Sequence, residues 1–161
     1  MYIERALEPL VRRYSENFKI VAVTGPRQVG KTTMLKHLME EEAESGVDRV
    51  YVTLDNTAIL QTAKEDPALF LQRYRPPVLI DEIQKAPELL PYIKMIVDER
   101  DDCGSVWITG SQPLHLMKAV SESLAGRVGI VEMLGLSHSE VAGTPRNRIC
   151  PAQTTSCGAW I

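Results

Sequence analysis

Residues 18–33, FKIVAVTGPRQVGKTT, constrain the fold more than any other stretch of the chain. An apolar, β-rich run from Phe18 to Val23 passes directly into Gly25-Pro-Arg-Gln-Val-Gly30-Lys31-Thr32. The spacing is G-x-x-x-x-G-K-[ST], a phosphate-binding loop, set between a strand and a helix-forming run, Thr33 to Glu44. Glycines at its ends allow backbone conformations in which successive N–H groups face inward on an anion. The helix that opens near Lys31 adds its N-terminal dipole and unpaired amides. Lys31 is expected to reach the β- and γ-phosphates, and the Thr32 hydroxyl to ligate Mg²⁺. The competing reading is a plain glycine turn between strand and helix with a surface lysine, and the flanking strand and helix pattern argues against it.

The rest of the chain alternates in the way such a start requires. Residues 2–16 read as an amphipathic helix, with Ile3, Leu7, Leu10, Val11 and Tyr14 on one face. Arg49 to Leu54 (RVYVTL) reads as a second strand, ending at a cap signal, Asp55-Asn56. Two short helices are expected at Asn56–Lys64 and Pro67–Tyr74, with Pro67 in a first turn. Val78-Leu79-Ile80 suits a parallel strand buried on both faces, and it runs into Asp81-Glu82. A helix is expected from Ala86-Pro87-Glu88 to Arg100, then a strand over Val106–Thr109 leading into Gly110-Ser111-Gln112. A helix over Leu114–Leu124 and a fifth strand over Val128–Leu134 follow. Strands alternating with helices imply a parallel, helix-covered α/β sheet. Residues 141–161 lack apolar periodicity and read as an irregular tail, after an N-terminal helix at 1–17 and a core at 18–140.

Bulk properties narrow the setting. The chain has 161 residues, a one-domain length, with 44% hydrophobic and 24% charged residues, an ordinary globular balance. A net charge of -3 argues against broad nucleic-acid binding by this segment and leaves a local basic patch open. No apolar run reaches the roughly 18 residues of a membrane helix. Cys103, Cys150 and Cys157 are odd in number and widely spread, suggesting no disulfide framework, so a cytoplasmic location is expected. His37, His115 and His138 show no ligand-like grouping.

Asp81 and Glu82 narrow the chemistry. Adjacent acids at the C-terminal end of a buried strand lie where an open α/β sheet places ligands. Asp81 is a candidate Mg²⁺ ligand, and Glu82 a candidate base that orients and deprotonates an attacking water. Ser111 or Gln112 would sit beside the γ-phosphate if the fourth strand neighbours the first. Arg127 is a candidate for stabilising transition-state charge, in cis or from a neighbouring copy; a structural salt bridge is the competing reading. Arg27 contacts either phosphate or the following helix. No [NT]KxD guanine-reading motif is present. Three readings stay open: an ATPase driving an attached or partner domain, a nucleotide-binding interaction module without turnover, and a small P-loop kinase.

GPRQVGKTT, LIDEIQKAPELLPYIK, TGSQ and SESLAGR, in that order, resemble the prokaryotic AAA+ superfamily ATPases whose N-terminal AAA domain is commonly joined to a C-terminal domain of uncharacterised function. The resemblance covers roughly residues 1–140. It implies a P-loop NTPase three-layer αβα sandwich with a five-stranded parallel sheet, and ATP and Mg²⁺ as ligands. The nucleotide-binding set it implies is Gly25, Pro26, Arg27, Gln28, Val29, Gly30, Lys31, Thr32 and Thr33. Thr32 and Asp81 would hold the metal. Glu82, with Asp81, would form Walker B, Ser111-Gln112 the sensor, and Arg127 an arginine finger, with a homo-oligomer as consequence. Family members continue past Glu140 through a helical lid. The chain is therefore expected to be a truncated or frame-shifted member that binds nucleotide weakly and hydrolyses it slowly or not at all. Its protein partner is left unidentified.

Overall fold

The computed structural model describes residues 2–111, 120 and 123–143. Its centre is β1 (Ile20–Thr24), in which all five residues are buried. Side chains alternate across a strand. Ile20 and Ala22 therefore enter one apolar cluster, and Val21 and Val23 the other. The sheet is completed by β2 (Val50–Thr53), β3 (Val78–Asp81), β4 (Val106–Gly110) and β5 (Val128–Glu132), in the order β2-β3-β4-β1-β5. Every pairing is parallel.

Helices cover both faces, which parallel strands need in order to bury their apolar sides. On one face α1 (Glu8–Asn17) and α2 (Lys31–Glu44) bring Val11, Met34, Leu35 and Leu38 against Val21, Val23 and Trp107. On the other, α3 (Thr57–Glu65), α4 (Pro67–Arg73) and α5 (Leu89–Asp98) pack Ala63, Phe70, Leu71, Leu90 and Ile93 over Ile20, Ala22, Ile80 and Ile108. The architecture is the expected three-layer α/β sandwich.

Local chemistry explains the boundaries. Asn56 Oδ1 accepts from the amides of Ala58 and Ile59 and opens α3. Asp66 caps Leu69 N, with Pro67 in the first turn of α4. The N-terminal helix starts at Glu8 rather than residue 2, with a proline in its first turn. Residues 2–5 instead run without helical hydrogen bonding along the nucleotide-loop end of the sheet. The helix expected from Ala86 is preceded by a 3₁₀ turn, Ile83–Lys85, and runs only from Leu89 to Asp98. Beyond β5, a short helix not anticipated from sequence, α6 (His138–Val141), is opened by Ser137 and Glu140 in a capping box. The reading of Leu114–Leu124 as a helix falls mostly outside the described residues, as does most of 141–161. Cys103 is disulfide-bonded, a departure from the reading of the cysteines, whose spacing in sequence carries no distance in space. No helix among the described residues is long and apolar enough to cross a membrane.

Candidate nucleotide-binding and hydrolysis site

The strand order brings the chemistry together. The chain leaves β1 for the sheet edge at β2, returns through β3 and β4, then crosses β1 to β5. Strand order therefore reverses beside β1, and a crevice opens at the C-terminal strand ends there. The phosphate loop fills that position. Gly25 has φ +142°, Gln28 φ +62° and Gly30 φ +92°. A Cβ on Gly25 would lie 2.0 Å from the Met133 carbonyl oxygen, so chain packing as well as conformation demands glycine.

Lys31 opens α2 and is buried. Its ammonium donates to the carbonyls of Gly25 (3.0 Å) and Pro26 (2.6 Å). Burial lowers its pKa, against the pull of Glu82 and Asp81 toward the charged form. Gly30, the residue before α2, provides no side-chain cap, which suits the first-turn amides to an anion. Arg27, Gln28, Thr33 and Glu82 line a cleft of about 460 Å³ over this helix end. Asp55 and Lys85, 2.5 Å apart, form its outer wall.

Asp81 ends β3 and is buried. Thr32 Oγ1 donates to its Oδ1 at 2.9 Å. Thr109 Oγ1 donates to the same oxygen, and Tyr51 Oη to Oδ2 at 3.1 Å. Burial and the neighbouring Asp81 push the Tyr51 phenol up to about 12, so it stays a donor. A carboxylate beside a threonine hydroxyl is a hard-oxygen pair that fits Mg²⁺.

Glu82 takes the left-handed conformation, φ +60°. Its amide donates to Thr109 Oγ1 at 3.2 Å. Its carboxylate accepts from Ser111 Oγ at 3.0 Å and from the Gln84 side-chain amide. Gln84 Nε2 also donates to Ser111 Oγ at 3.0 Å.

The structure thus gathers the phosphate loop, Asp81, Glu82 and Ser111 at one end of the sheet. Gln112 lies outside the described residues. Arg127 is not brought to this end. It directly precedes β5, and its carbonyl accepts from Ile20 N at the start of β1. Roughly 16 Å of strand separate it from the loop. Its guanidinium pairs with Asp98 of α5. Of the readings left open for Arg127, this placement matches the structural salt bridge and leaves no route to the cleft within the same copy, because the two ends of a strand lie at opposite ends of the sheet. Sequence reading passed over Tyr51, Gln84 and Thr109. Thr109 and Gln84 lie inside the distinctive TGSQ and IDEIQK runs, which was a signal to use. Tyr51 carried none beyond its place in a strand.

A family model described as an AAA domain matches residues 17–142. The chain belongs to the AAA domain family. As a member, it is a P-loop nucleotide-binding domain. Uncharacterized proteins of Mycobacterium tuberculosis and Mycobacterium bovis are 33% identical to it over 139 residues, 86% of this chain and 30% of theirs. The chain therefore spans under a third of the length of the curated relatives it matches. Among solved structures, the DnaC helicase loader superposes with a TM-score of 0.54 at 15% identity, over 78% of this chain and 87% of that one. The P-loop NTPase domain of a sigma-54 transport activator from E. coli gives 0.53 at 13%, over 80% and 92%. At these identities the likeness establishes the fold, and the local geometry must carry the chemistry.

Proposed function

We propose that this AAA domain binds ATP with Mg²⁺ and hydrolyses it, to drive conformational change in an attached or partner domain. One observation carries the reading: Asp81 is held against Thr32 of the phosphate loop while the adjacent Glu82 meets Ser111 at the cleft. Thr32 and Asp81 would hold the metal, whose charge offsets that on the β- and γ-phosphates. The triphosphate would favour the charged form of Lys31, against the burial that lowers its pKa. Glu82 takes a proton from a water attacking the γ-phosphorus, and the bond from that phosphorus to the β–γ bridging oxygen breaks, releasing ADP and phosphate. Ser111 orients the Glu82 carboxylate. Arg127 can join this only across an interface, at the site of a second copy. Since ATP supplies the work, the reading places the domain in the cytoplasm, where a disulfide such as that of Cys103 is unusual.

The alternative reading, binding without turnover, draws on the same carboxylate. Glu82 already accepts from both Ser111 and Gln84, contacts that compete with a water.

Phosphate release and ATP binding, measured on the parent, Lys31→Ala and Glu82→Gln, separate these. Hydrolysis predicts Mg²⁺-dependent release that falls at least ~100-fold in Glu82→Gln while binding survives, as expected for loss of a general base. Lys31→Ala should lose binding itself. ATP binding without any release by the parent would favour the binding module, and phosphate appearing on a small acceptor a kinase. Service by Arg127 in trans requires turnover per chain that rises with concentration in the parent and not in Arg127→Ala.

A further inference from the structure

Arg5 precedes every recognised motif, yet it is 5% exposed. All three of its guanidinium nitrogens are used, each on a different segment. Nη1 donates to the Val29 carbonyl inside the phosphate loop at 2.8 Å. Nη2 donates to the Leu134 carbonyl, just beyond β5, at 2.9 Å. Nε donates to Glu140 Oε1 at 3.0 Å. Glu140, 6% exposed, also accepts from the Ala6 amide at 2.9 Å and from the amide and hydroxyl of Ser137.

The Val29–Gly30 peptide gives this grip a consequence. In a planar trans peptide the C=O and the following N–H point in opposite directions. Holding the Val29 oxygen therefore sets the direction of the Gly30 N–H, on the far side of the same plane. Gly30 has no side chain to restrain it and lies at φ +92°. A Cβ there would come within 3.6 Å of Arg5 Nη1, so the guanidinium lies directly against this residue. A loop that binds phosphate through backbone amides must hold those amides in place before the anion arrives.

We infer that Arg5, held by Glu140, is a positioning residue that aims the Gly30 amide at the phosphates of a bound nucleotide. The inference rests on the phosphate-binding reading of the loop above. Lysine retains the charge facing Glu140 but has one nitrogen in place of a planar fork, and cannot hold three diverging acceptors.

The test is ADP affinity by titration calorimetry on the parent and Arg5→Lys, with thermal melting and the amide NMR resonance of Gly30 read alongside. Arg5→Lys should stay folded at the assay temperature while melting a few degrees below the parent, since buried acceptors lose a donor, bind ADP about tenfold more weakly, equivalent to about 1.4 kcal/mol, and show a reduced ADP-induced shift of the Gly30 amide. Unchanged affinity, or an unchanged Gly30 response, would overturn the inference while leaving the nucleotide site standing. Should Arg5→Lys fail to fold, Glu140→Gln serves with the same readouts, and a several-fold loss or no loss decides in the same way. A parent that does not bind ADP overturns the phosphate-site reading, and this inference with it.

Discussion

A single hydroxyl links the two acids of this site. Thr109 Oγ1 donates to Asp81 and accepts from the Glu82 amide, so it sets the metal-side carboxylate and the backbone of the base together. Thr109→Val keeps the shape and removes both bonds, leaving the buried Asp81 carboxylate and the part-buried Glu82 N–H each short of one partner, a loss of about 1–3 kcal/mol. Turnover should fall at least ~10-fold, since displacement of a carboxylate by a fraction of an ångström is costly in an oriented site. Steady-state phosphate release beside a melting curve checks this, and full activity in a destabilised variant would refute it. Thr109 was passed over in the sequence because threonine ends many buried strands, and nothing in its neighbours says which side chain it will meet. Glu82 was legible because adjacency to Asp81 is itself a chemical pattern. Its left-handed backbone was not.

At the scale of elements, α1 reaches the sheet through one missing side chain. Gly129 of β5 pairs with Val21 of β1, and a Cβ on it would stand 2.6 Å from Tyr14 and 2.8 Å from Phe18. Those two rings pack edge to face, centroids 5.2 Å apart. Gly129→Ala must push the helix outward, and overpacking of this kind costs about 1–3 kcal/mol. A drop of several degrees in melting temperature is expected, recovered in part by a second change, Tyr14→Leu, which removes the nearer ring. Failure of the double variant to recover would place the cost elsewhere. The amphipathic face of residues 7–14 was readable from periodicity. That the helix begins at Glu8, freeing residues 2–5 to run along the loop, was not, because apolar spacing does not register where hydrogen bonding starts.

Over the whole molecule, Glu140 ties the end of the described chain to its beginning. Burial alone would raise its pKa, but the Ser137 and Ala6 amides, the Ser137 hydroxyl and Arg5 bring it from 4.5 to about 2. Its folded pKa is thus depressed, so its contribution is complete above the unfolded value and is lost as pH falls from about 4.5 toward 2. Urea midpoints for the parent and Glu140→Gln should differ most near neutrality and converge by pH 2 to 3. A gap that stays constant through that window would mean the ionised carboxylate is not what stabilises the fold. The sequence by itself determined the parallel, helix-covered sheet, the phosphate loop and the acids placed opposite it. Each is a local pattern, in which residue type and spacing act within a few positions. Only tertiary structure decided that Arg127 faces Asp98 at the far end of the sheet, and that Arg5 spans three segments to the back of the loop. Those contacts join residues 24 to 135 positions apart, and strand order, which no single stretch encodes, sets which of them meet.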